Sequence, residues 1–469
     1  MAAIPALLLF VVLHGIFFHD VVFGGRSLSA ASLTAGLTPH GPVDASGPRP
    51  VPHVLDVEGA AWVDEPSPYL AHRALAAGEL PLWNPGAGLG GPLAANLNSG
   101  AGNPLQLPLN AVPSARAADL YHLGRLLLLA LATWAFLREL GIASVAAFVG
   151  AVVVAYGGYS LAWIVHHPLA TEIFLPVMLF GFERGRRGRA GGWLVLGFAA
   201  AGSLLGGKLQ ASLLCFGFTG FYAWVRGGIR QGGAGKTTLA ATGVGLGLGC
   251  ALAAFLLVPA GELMAQASGL TLGGRAQLAG YMLPWPSLAS LAVPRLFVPP
   301  GQVFADGLLT PAIGIGAVLL AAVGVAAHAS PFVTVARAAV LWAGVLLARN
   351  VGVFGDLATR LPAIRGILFV KYTFTIVLAL AVAAAIGFDA ILAGRIERRR
   401  ACNVIAAGLL VIAGLVGAAL ATAVPITFSA ALRLPALIAA VLATSLVVWR
   451  RDVIGRGAVA TVFVAVVLV

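Results

Sequence analysis

Long apolar runs separated by short polar connections make up most of this chain. One run begins almost at the N-terminus, over residues 2–18, and a single long polar stretch follows over residues 24–117. A helix needs about 20 apolar residues to cross a bilayer, and the remaining runs have about this length. They predict further membrane-spanning helices near residues 118–137, 142–163, 168–182, 191–207, 209–225, 237–258, 308–327, 332–348, 366–388, 401–421, 431–449 and 457–469.

The composition agrees with this pattern and excludes a soluble protein. Hydrophobic residues make up 59% of the chain and charged residues 10%, whereas soluble domains carry about 25% charged residues. The apolar runs are continuous and not alternating, which argues against a transmembrane β-barrel. We therefore predict an all-α polytopic membrane protein with about 12–13 transmembrane helices.

The predicted spans divide the chain into three parts. Residues 1–23 form a first transmembrane helix, which we expect to be retained because no Lys or Arg precedes it and no small-residue cleavage site follows. Residues 24–117 form a large loop in which residues 66–78 are predicted to be a short helix. Residues 118–469 form a multi-helix membrane domain. Its last span reaches Val469 without a polar tail, so we expect the natural protein to continue.

The distribution of charge predicts the orientation. With the N-terminus taken as cytoplasmic, the cytoplasmic connections hold 16 of the 29 basic residues and 5 of the 17 acidic ones. Their net charge is +11, and that of the opposite side is +1. Basic residues accumulate in cytoplasmic connections, so the loop 24–117 is predicted to be extracytoplasmic. The overall charge of +12 therefore reflects topology and does not indicate a nucleic-acid partner.

Ionisable residues embedded in or beside spans are candidate functional groups, because they are unfavourable in lipid. Lys208 lies between two apolar runs, where it either snorkels from a tight turn or provides a cation for an anionic lipid headgroup. Arg365 and Lys371 flank the start of a span and allow the same two interpretations. His166 and His167 lie at the extracytoplasmic end of a span as substrate contacts or plain interfacial residues, since adjacent helical residues make poor joint metal ligands. Further embedded charges are Arg125, Glu172 and Arg349.

The loop 24–117 carries the densest chemical signal. Trp, Asn, Gly and repeated Pro occur in close order over residues 78–105, a mixture that indicates a folded loop shaping a cavity at the membrane face. Asp56, Asp64 and Glu65 precede this region. Carboxylates beside such a cavity are suited to act as a base or to hold a cation, and the alternative is that they are solvated loop acids.

The sequence resembles the YfhO-type bacterial membrane proteins, which belong with the C-type membrane glycosyltransferases. The motifs that carry the resemblance are GELPLWNP (78–85), GLGGPLAAN (88–96), NPLQLPLN (103–110), LRELGIA (137–143), His167-Pro168, Leu175-Pro176, Glu183-Arg184, Gly207-Lys208-Leu209-Gln210, LPAIRGILFVKYTF (361–374) and Gly387-Phe388-Asp389. They follow the family's order. One departure is that Lys208 and Leu209 stand where the family has His and Pro.

The resemblance implies a large first extracytoplasmic loop, a bacterial cytoplasmic-membrane location and inverting transfer of one sugar. The implied partners are a polyprenyl-phosphate-linked sugar donor, an envelope glycopolymer or glycolipid acceptor, and the bilayer. A loop Asp, here Asp56 or Asp64, is implied as the general base. The candidate substrate-binding residues are Glu65, Trp83, Asn84, Asn96, His166, His167, Lys208, Gln210, Arg365 and Lys371. No cofactor is required, and the use of a divalent cation stays open.

Two other classes of function fit a polytopic chain. A transporter or lipid-linked sugar flippase would move its substrate without breaking a bond, and it often contains an internal repeat, which is not evident here. A non-catalytic scaffold of an envelope-assembly complex would tolerate the loss of every loop carboxylate. Only an activity that depends on those carboxylates separates the enzyme from both.

Overall fold

A computed structural model describes residues 3–30, 59–228, 232–266, 285–293, 312–348, 373–421, 433–451, 453 and 455–468. The described chain is mostly helical. Its α-helices are α1 (Ala3–Phe17), α2 (His19–Val22), α3 (Pro66–Ala76), α4 (Leu107–Ala111), α5 (Ala115–Leu140), α6 (Ser144–Ala155), α7 (Gly158–Ala162), α8 (His167–Glu172), α9 (Phe174–Arg186), α10 (Gly192–Leu205), α11 (Leu209–Ala223), α12 (Gly232–Gln266), α13 (Ile315–Ala326), α14 (Val333–Ala348), α15 (Thr373–Leu392), α16 (Arg398–Ala421), α17 (Arg433–Arg450) and α18 (Arg456–Leu468).

The prediction of a helical membrane protein is confirmed. Five described segments are long and apolar enough to cross a membrane, and shorter apolar helices accompany them. The five are Ala115–Leu140, Ser144–Ala162, Gly235–Gln266, Thr373–Leu392 and Arg398–Ala418. Each predicted span overlaps at least one described helix.

Two predicted spans are interrupted. The span predicted at 142–163 is broken at Tyr156 and Gly157, where α6 ends and α7 begins. The Ser160 hydroxyl donates to the Val154 carbonyl oxygen across the break, at 2.6 Å, so one carbonyl freed by the break is paired again. The span predicted at 168–182 is divided into α8 and α9. Hydropathy did not reveal the first break, because the residues around it are themselves apolar. The span 168–182 has only 15 residues, and a span that short is expected to be broken or tilted.

The large loop contains more structure than the sequence predicted. The short helix expected at 66–78 is confirmed as α3, with Pro66 in its first turn. Strands β1 (Trp83–Asn84) and β2 (Gly91–Pro92) pair antiparallel, with Trp83 opposite Pro92. Gly90 has φ +98°, and a side chain there would lie 2.7 Å from the Trp83 indole nitrogen. The glycines of this motif therefore permit the tight ribbon against the indole.

The chain forms two compact units. The first contains residues 1–132, 162–223 and 230–272, and the second contains the remainder, so that their boundary falls within α5. In the first unit α10 packs between α9 and α12. Small residues allow close approach: a Cβ at Gly192 would lie 2.2 Å from the Gly185 nitrogen on α9, and one at Gly249 would lie 2.4 Å from Cβ of Ala200.

The second unit is organised around α15, which is almost completely buried. It packs against α6, α13 and α14. A Cβ at Gly387 would lie 1.9 Å from the Leu320 carbonyl oxygen of α13, so this contact requires glycine. At the end of α15, Asp389 accepts hydrogen bonds from the Ala143 backbone N–H, at 2.9 Å, and from Arg395. These bonds fix the start of α6 in this unit.

Candidate functional site

Asp64 is the last residue of a widened helical turn in the first unit. Residues Ala60–Asp64 form a π-helical turn, closed by the Glu65 N–H donating to the Ala60 carbonyl oxygen at 2.9 Å. Pro66 begins α3 directly after it and needs no donor of its own, which suits a first helical position. The Asp64 side chain is 12% exposed, so its carboxylate is held in a largely buried position.

Two adjacent histidines from a distant part of the chain flank this carboxylate. The His166 Nδ1 lies 3.0 Å from Asp64 Oδ2, and the His167 Nε2 lies 3.2 Å from Asp64 Oδ1. Both imidazoles are buried. They reach one carboxylate because His166 is extended and His167 is the first residue of α8, so the pair does not lie on one continuous helix. The sequence predicted all three residues but not their contact.

Arg125 of α5 holds the segment that carries the histidines. Its guanidinium donates to the His166 carbonyl oxygen at 2.9 Å and to the Ile164 carbonyl oxygen at 2.7 Å. It also contacts the His122 Nδ1 and lies 4.4 Å above the Tyr121 ring. Arg125 is 2% exposed. This embedded cation therefore fixes backbone geometry beside the carboxylate.

The protonation states at the centre follow from burial and neighbouring charge. Burial by itself raises the pKa of Asp64, but His167, the hydrogen bond from His166 and the charge of Lys208 together lower it below its usual value. Burial, with Lys208 and Arg125 nearby, lowers the pKa of His167 to about 4. Near neutral pH the centre therefore holds an ionised Asp64 beside a neutral His167.

A cavity of about 90 Å³ opens beside Asp64, and we call it the polar cavity. Its lining combines the loop, α3, α4, α5 and the histidine segment. Residues with carboxylate, imidazole, amide and phenol side chains are among those that line it. The polar residues that line it are Ser29, Asp64, Glu65, Tyr69, Gln106, Ser114, Tyr121, His122, Arg125 and His167.

A second and larger cavity of about 360 Å³ adjoins the first, and we call it the apolar groove. Leu109, Tyr121 and Arg125 line both cavities. The remaining lining is apolar and comes from α4 with its flanking residues and from one stripe of α5, namely Leu105, Pro108, Val112, Ala117, Leu120, Gly124 and Leu128. From Ala117 to Leu128 this stripe extends for about 16 Å at the helical rise per residue. The first cavity therefore has many more polar residues in its lining than the second, whose lining is almost entirely apolar.

Glu65, predicted as a substrate-binding residue, lines the polar cavity but is engaged by the chain itself. Its carboxylate accepts a hydrogen bond from the Ser29 hydroxyl at 2.8 Å and another from the Ala30 N–H. Asp119 holds the same segment through the Ser27 hydroxyl and the Leu28 N–H. The structure thus assigns Glu65 the task of holding residues 29–30 beside the cavity.

Lys208 lies near the centre without lining the polar cavity. Its N–H donates to the Thr171 hydroxyl at 3.2 Å, and its charge acts on Asp64. Gly207, before it, has φ +101°, and a Cβ there would lie 2.6 Å from the Leu97 carbonyl oxygen. Only glycine fits this turn, which brings Lys208 against the folded loop. Gln210 is exposed.

Trp83, Asn84 and Asn96 do not line either cavity among the described residues. Trp83 is 57% exposed. The Asn84 side chain accepts the Gly86 N–H at 3.0 Å, which is a local turn bond. Asn96 is exposed. The motif that looked most specific in the sequence therefore forms a surface ribbon, and the expectation that these residues bind substrate receives no support from their positions.

Four residues named from the sequence, Asp56, Arg349, Arg365 and Lys371, lie outside the described residues. Within the described part of the chain, no group of three or more His, Cys, Asp or Glu side chains is placed to hold a metal ion. The sequence analysis missed Gln106, Tyr69, Tyr121 and His122 as lining residues. Gln106 stands inside a motif that was recognised, but no local pattern indicates which of its side chains faces a cavity.

Comparisons with family models, with curated proteins and with solved structures find no match to this chain. The interpretation of the site therefore depends on its own geometry and on the sequence motifs described above.

Proposed function

We propose that the protein is a membrane glycosyltransferase that transfers one monosaccharide from a polyprenyl-phosphate carrier to a hydroxyl group of an extracytoplasmic envelope acceptor. The observation that carries the proposal is the continuity of the polar cavity beside Asp64 with the apolar groove along α5. A lipid-linked sugar has the same two parts, a polar head and a hydrocarbon chain. The excess of cationic residues in the alternate connections supports an extracytoplasmic position of this site.

Asp64 is the proposed general base. Its lowered pKa keeps the carboxylate ionised, and the His166 N–H at 3.0 Å fixes its direction. As the acceptor hydroxyl oxygen bonds to the anomeric carbon, its proton passes to Asp64. The bond from the anomeric carbon to the phosphate oxygen breaks, and its electron pair leaves with the polyprenyl phosphate. Attack from the face opposite to the leaving group inverts the anomeric carbon.

The phosphate leaving group departs as an anion and benefits from a fixed positive charge. Lys208 is the proposed source of that charge, because its ammonium acts electrostatically on Asp64 and His167. The Arg125 guanidinium, in contrast, is directed to two backbone carbonyls and serves to position the histidine segment. The apolar groove receives the first part of the polyprenyl chain.

The test is release of free polyprenyl phosphate by the purified protein from a radiolabelled panel of polyprenyl-phosphate sugars, with membrane extracts as the source of acceptor. Asp64→Asn should lower the turnover number by 10²–10⁴-fold, about the contribution of a general base. Lys208→Met should lower it less and leave the protein level unchanged. Glu79→Gln is the matched control, since Glu79 is an exposed acid of the same loop.

Full activity of Asp64→Asn would exclude Asp64 as the base, and Asp56→Asn would then be the variant to measure. Release that is equally low in Glu79→Gln would indicate a general effect of loop charge. No release from any donor by the wild-type protein would contradict the glycosyltransferase, and transport of the same donors across proteoliposomes would then test the flippase.

A further inference from the structure

Two arginines and a histidine from three parts of the chain meet at one end of the second unit. His328 follows α13, and its Nδ1 lies 2.6 Å from the guanidinium of Arg337, near the start of α14. The Arg337 Nε donates to the Val325 carbonyl oxygen in the last turn of α13 at 3.2 Å. The charge of Arg400, in the first turn of α16, acts on the same imidazole. We call His328, Arg337 and Arg400 the cationic cluster.

No described carboxylate lies within ion-pair distance of the cationic cluster. The charge of Arg400 lowers the pKa of His328 most, and Arg337 lowers it further. Two acids lie nearby in the sequence. Asp389 is already paired with Arg395, and Glu397 forms no ion pair with a described residue. Because like charges raise the free energy of one another, an anion placed at the cluster would be stabilised.

The cationic cluster is accessible, and apolar surface continues from it along two helices. All three of its side chains are exposed. On α14, Leu341 and Val345 lie about one and two turns beyond the cluster's arginine, on the same face, and each is 60% exposed. On α16, Ala407 and Val411 lie about two and three turns beyond its arginine, and both are exposed. In a membrane protein such exposed apolar stripes contact acyl chains.

A ligand that fits this surface has an anionic head and a hydrocarbon tail. Guanidinium groups donate pairs of parallel hydrogen bonds to phosphate oxygens. We propose that the cationic cluster binds the phosphate of an anionic phospholipid, whose acyl chains lie along the apolar stripes of α14 and α16. Basic pockets between membrane helices bind such headgroups at the cytoplasmic surface, and the charge distribution predicts that this end of the unit is cytoplasmic. This lipid site is separate from the proposed transfer reaction.

The experiment is native mass spectrometry of the purified full chain in detergent, titrated with phosphatidylglycerol or with phosphatidylcholine. We expect the wild-type protein to bind the first phosphatidylglycerol molecule more tightly than phosphatidylcholine. Arg400→Gln should weaken phosphatidylglycerol binding by about fivefold, the effect of one basic residue beside an anionic headgroup, and leave phosphatidylcholine binding unchanged. Arg400 forms no hydrogen bond or ion pair with a described residue, so this substitution removes charge without breaking a contact that holds the fold.

Arg399→Gln is the matched control. Arg399 precedes Arg400 on α16, has the same charge and is also exposed, but it does not act on His328. Adjacent residues of a helix point about 100° apart, so Arg399 is directed away from the cluster. We expect Arg399→Gln to weaken phosphatidylglycerol binding by less than about twofold, since exposed charges are screened. Arg337→Gln, on the other helix, should resemble Arg400→Gln.

Equal weakening by Arg399→Gln and Arg400→Gln would overturn the inference, because the lipid would then be held by the general positive charge of this face. Equal affinity of the wild-type protein for the two lipids would overturn it as well. Inorganic phosphate is the third probe, and an excess of it should leave phosphatidylglycerol bound. Displacement of the lipid by inorganic phosphate would show that the cluster binds a free anion and would exclude the phospholipid as its occupant.

Discussion

Arg125 should stabilise the candidate site far more than a comparable arginine outside the core. It donates to two buried carbonyls, those of Ile164 and His166. A hydrogen bond from a charged donor contributes about 1.5–3 kcal/mol, so the two account for about 3–6 kcal/mol. Replacing a buried charge with an apolar side chain returns part of this free energy. For Arg125→Met we therefore expect a loss of about 3 kcal/mol, the lower end of that range.

Arg116 provides the matched control on the same helix. It also donates to two backbone carbonyls, of Val21 and Val22, but it is exposed to the surroundings. Water or headgroups can replace those bonds, so Arg116→Met should lose less than about 1 kcal/mol. Arg125→Lys keeps the charge, but an ammonium group cannot donate to both carbonyls in the geometry of a planar guanidinium. Its loss of stability should therefore lie between those of Arg116→Met and Arg125→Met.

The assay is the fraction of monodisperse protein that remains in detergent after heating, measured by size-exclusion chromatography for the four proteins. The expected order of melting temperatures is wild type, then Arg116→Met, then Arg125→Lys, then Arg125→Met. Equal melting of Arg125→Met and Arg116→Met would refute the reasoning, because it would mean that the carbonyls near His166 find other donors when the guanidinium is removed.

Two further predictions concern protonation and topology. The pKa of His167 is about 4 in the folded protein and 6.5 ordinarily, so between these values the unfolded chain binds a proton that the folded chain does not. The free energy of unfolding should therefore be highest above pH 6.5 and fall by up to about 3 kcal/mol as the pH is lowered toward 4. His167→Gln should flatten this part of the melting profile, and an unchanged slope would contradict the assignment. Leu89→Cys, at a fully exposed loop position, should react with a membrane-impermeant thiol reagent in cells whose outer barrier is opened, whereas the buried Ser67→Cys should not. Reaction of Leu89→Cys only after lysis would reverse the predicted orientation.

The sequence predicted the helical membrane fold because the apolar character of each span can be read from consecutive residues, without knowledge of distant contacts. Twenty apolar residues in a row indicate a span whatever they pack against. The break at Tyr156 and Gly157 was not predicted, since it lies in apolar sequence and hydropathy does not report backbone conformation, whereas the division of 168–182 agrees with the short length of that predicted span. The loop helix at 66–78 was predicted correctly because turn-forming residues delimit it on both sides.

The sequence named several residues of the candidate site but did not indicate how they are arranged. Asp64, His166, His167 and Lys208 were all named, but the carboxylate and the histidines are about a hundred positions apart in the chain, and no periodic pattern reports a contact at that separation. Trp83, Asn84 and Asn96 were predicted to bind substrate from the motif that carries the resemblance. The sequence did not indicate that Trp83 and Asn84 form strand β1 of a two-stranded ribbon with Gly91 and Pro92.

The connectivity of the donor limits where its phosphate lies in the proposed reaction. The phosphate joins the sugar to the polyprenyl chain, so it belongs where the two cavities meet, beside Tyr121 and Arg125, which line both. The Arg125 guanidinium is directed to two backbone carbonyls, whereas the charge of Lys208 acts on Asp64 and His167. A charge that stabilises the departing phosphate acts mainly in the transition state. We therefore expect Lys208→Met to lower the turnover number more than it raises KM for the intact donor, and a raised KM with an unchanged turnover number would mean that Lys208 serves only to bind the donor.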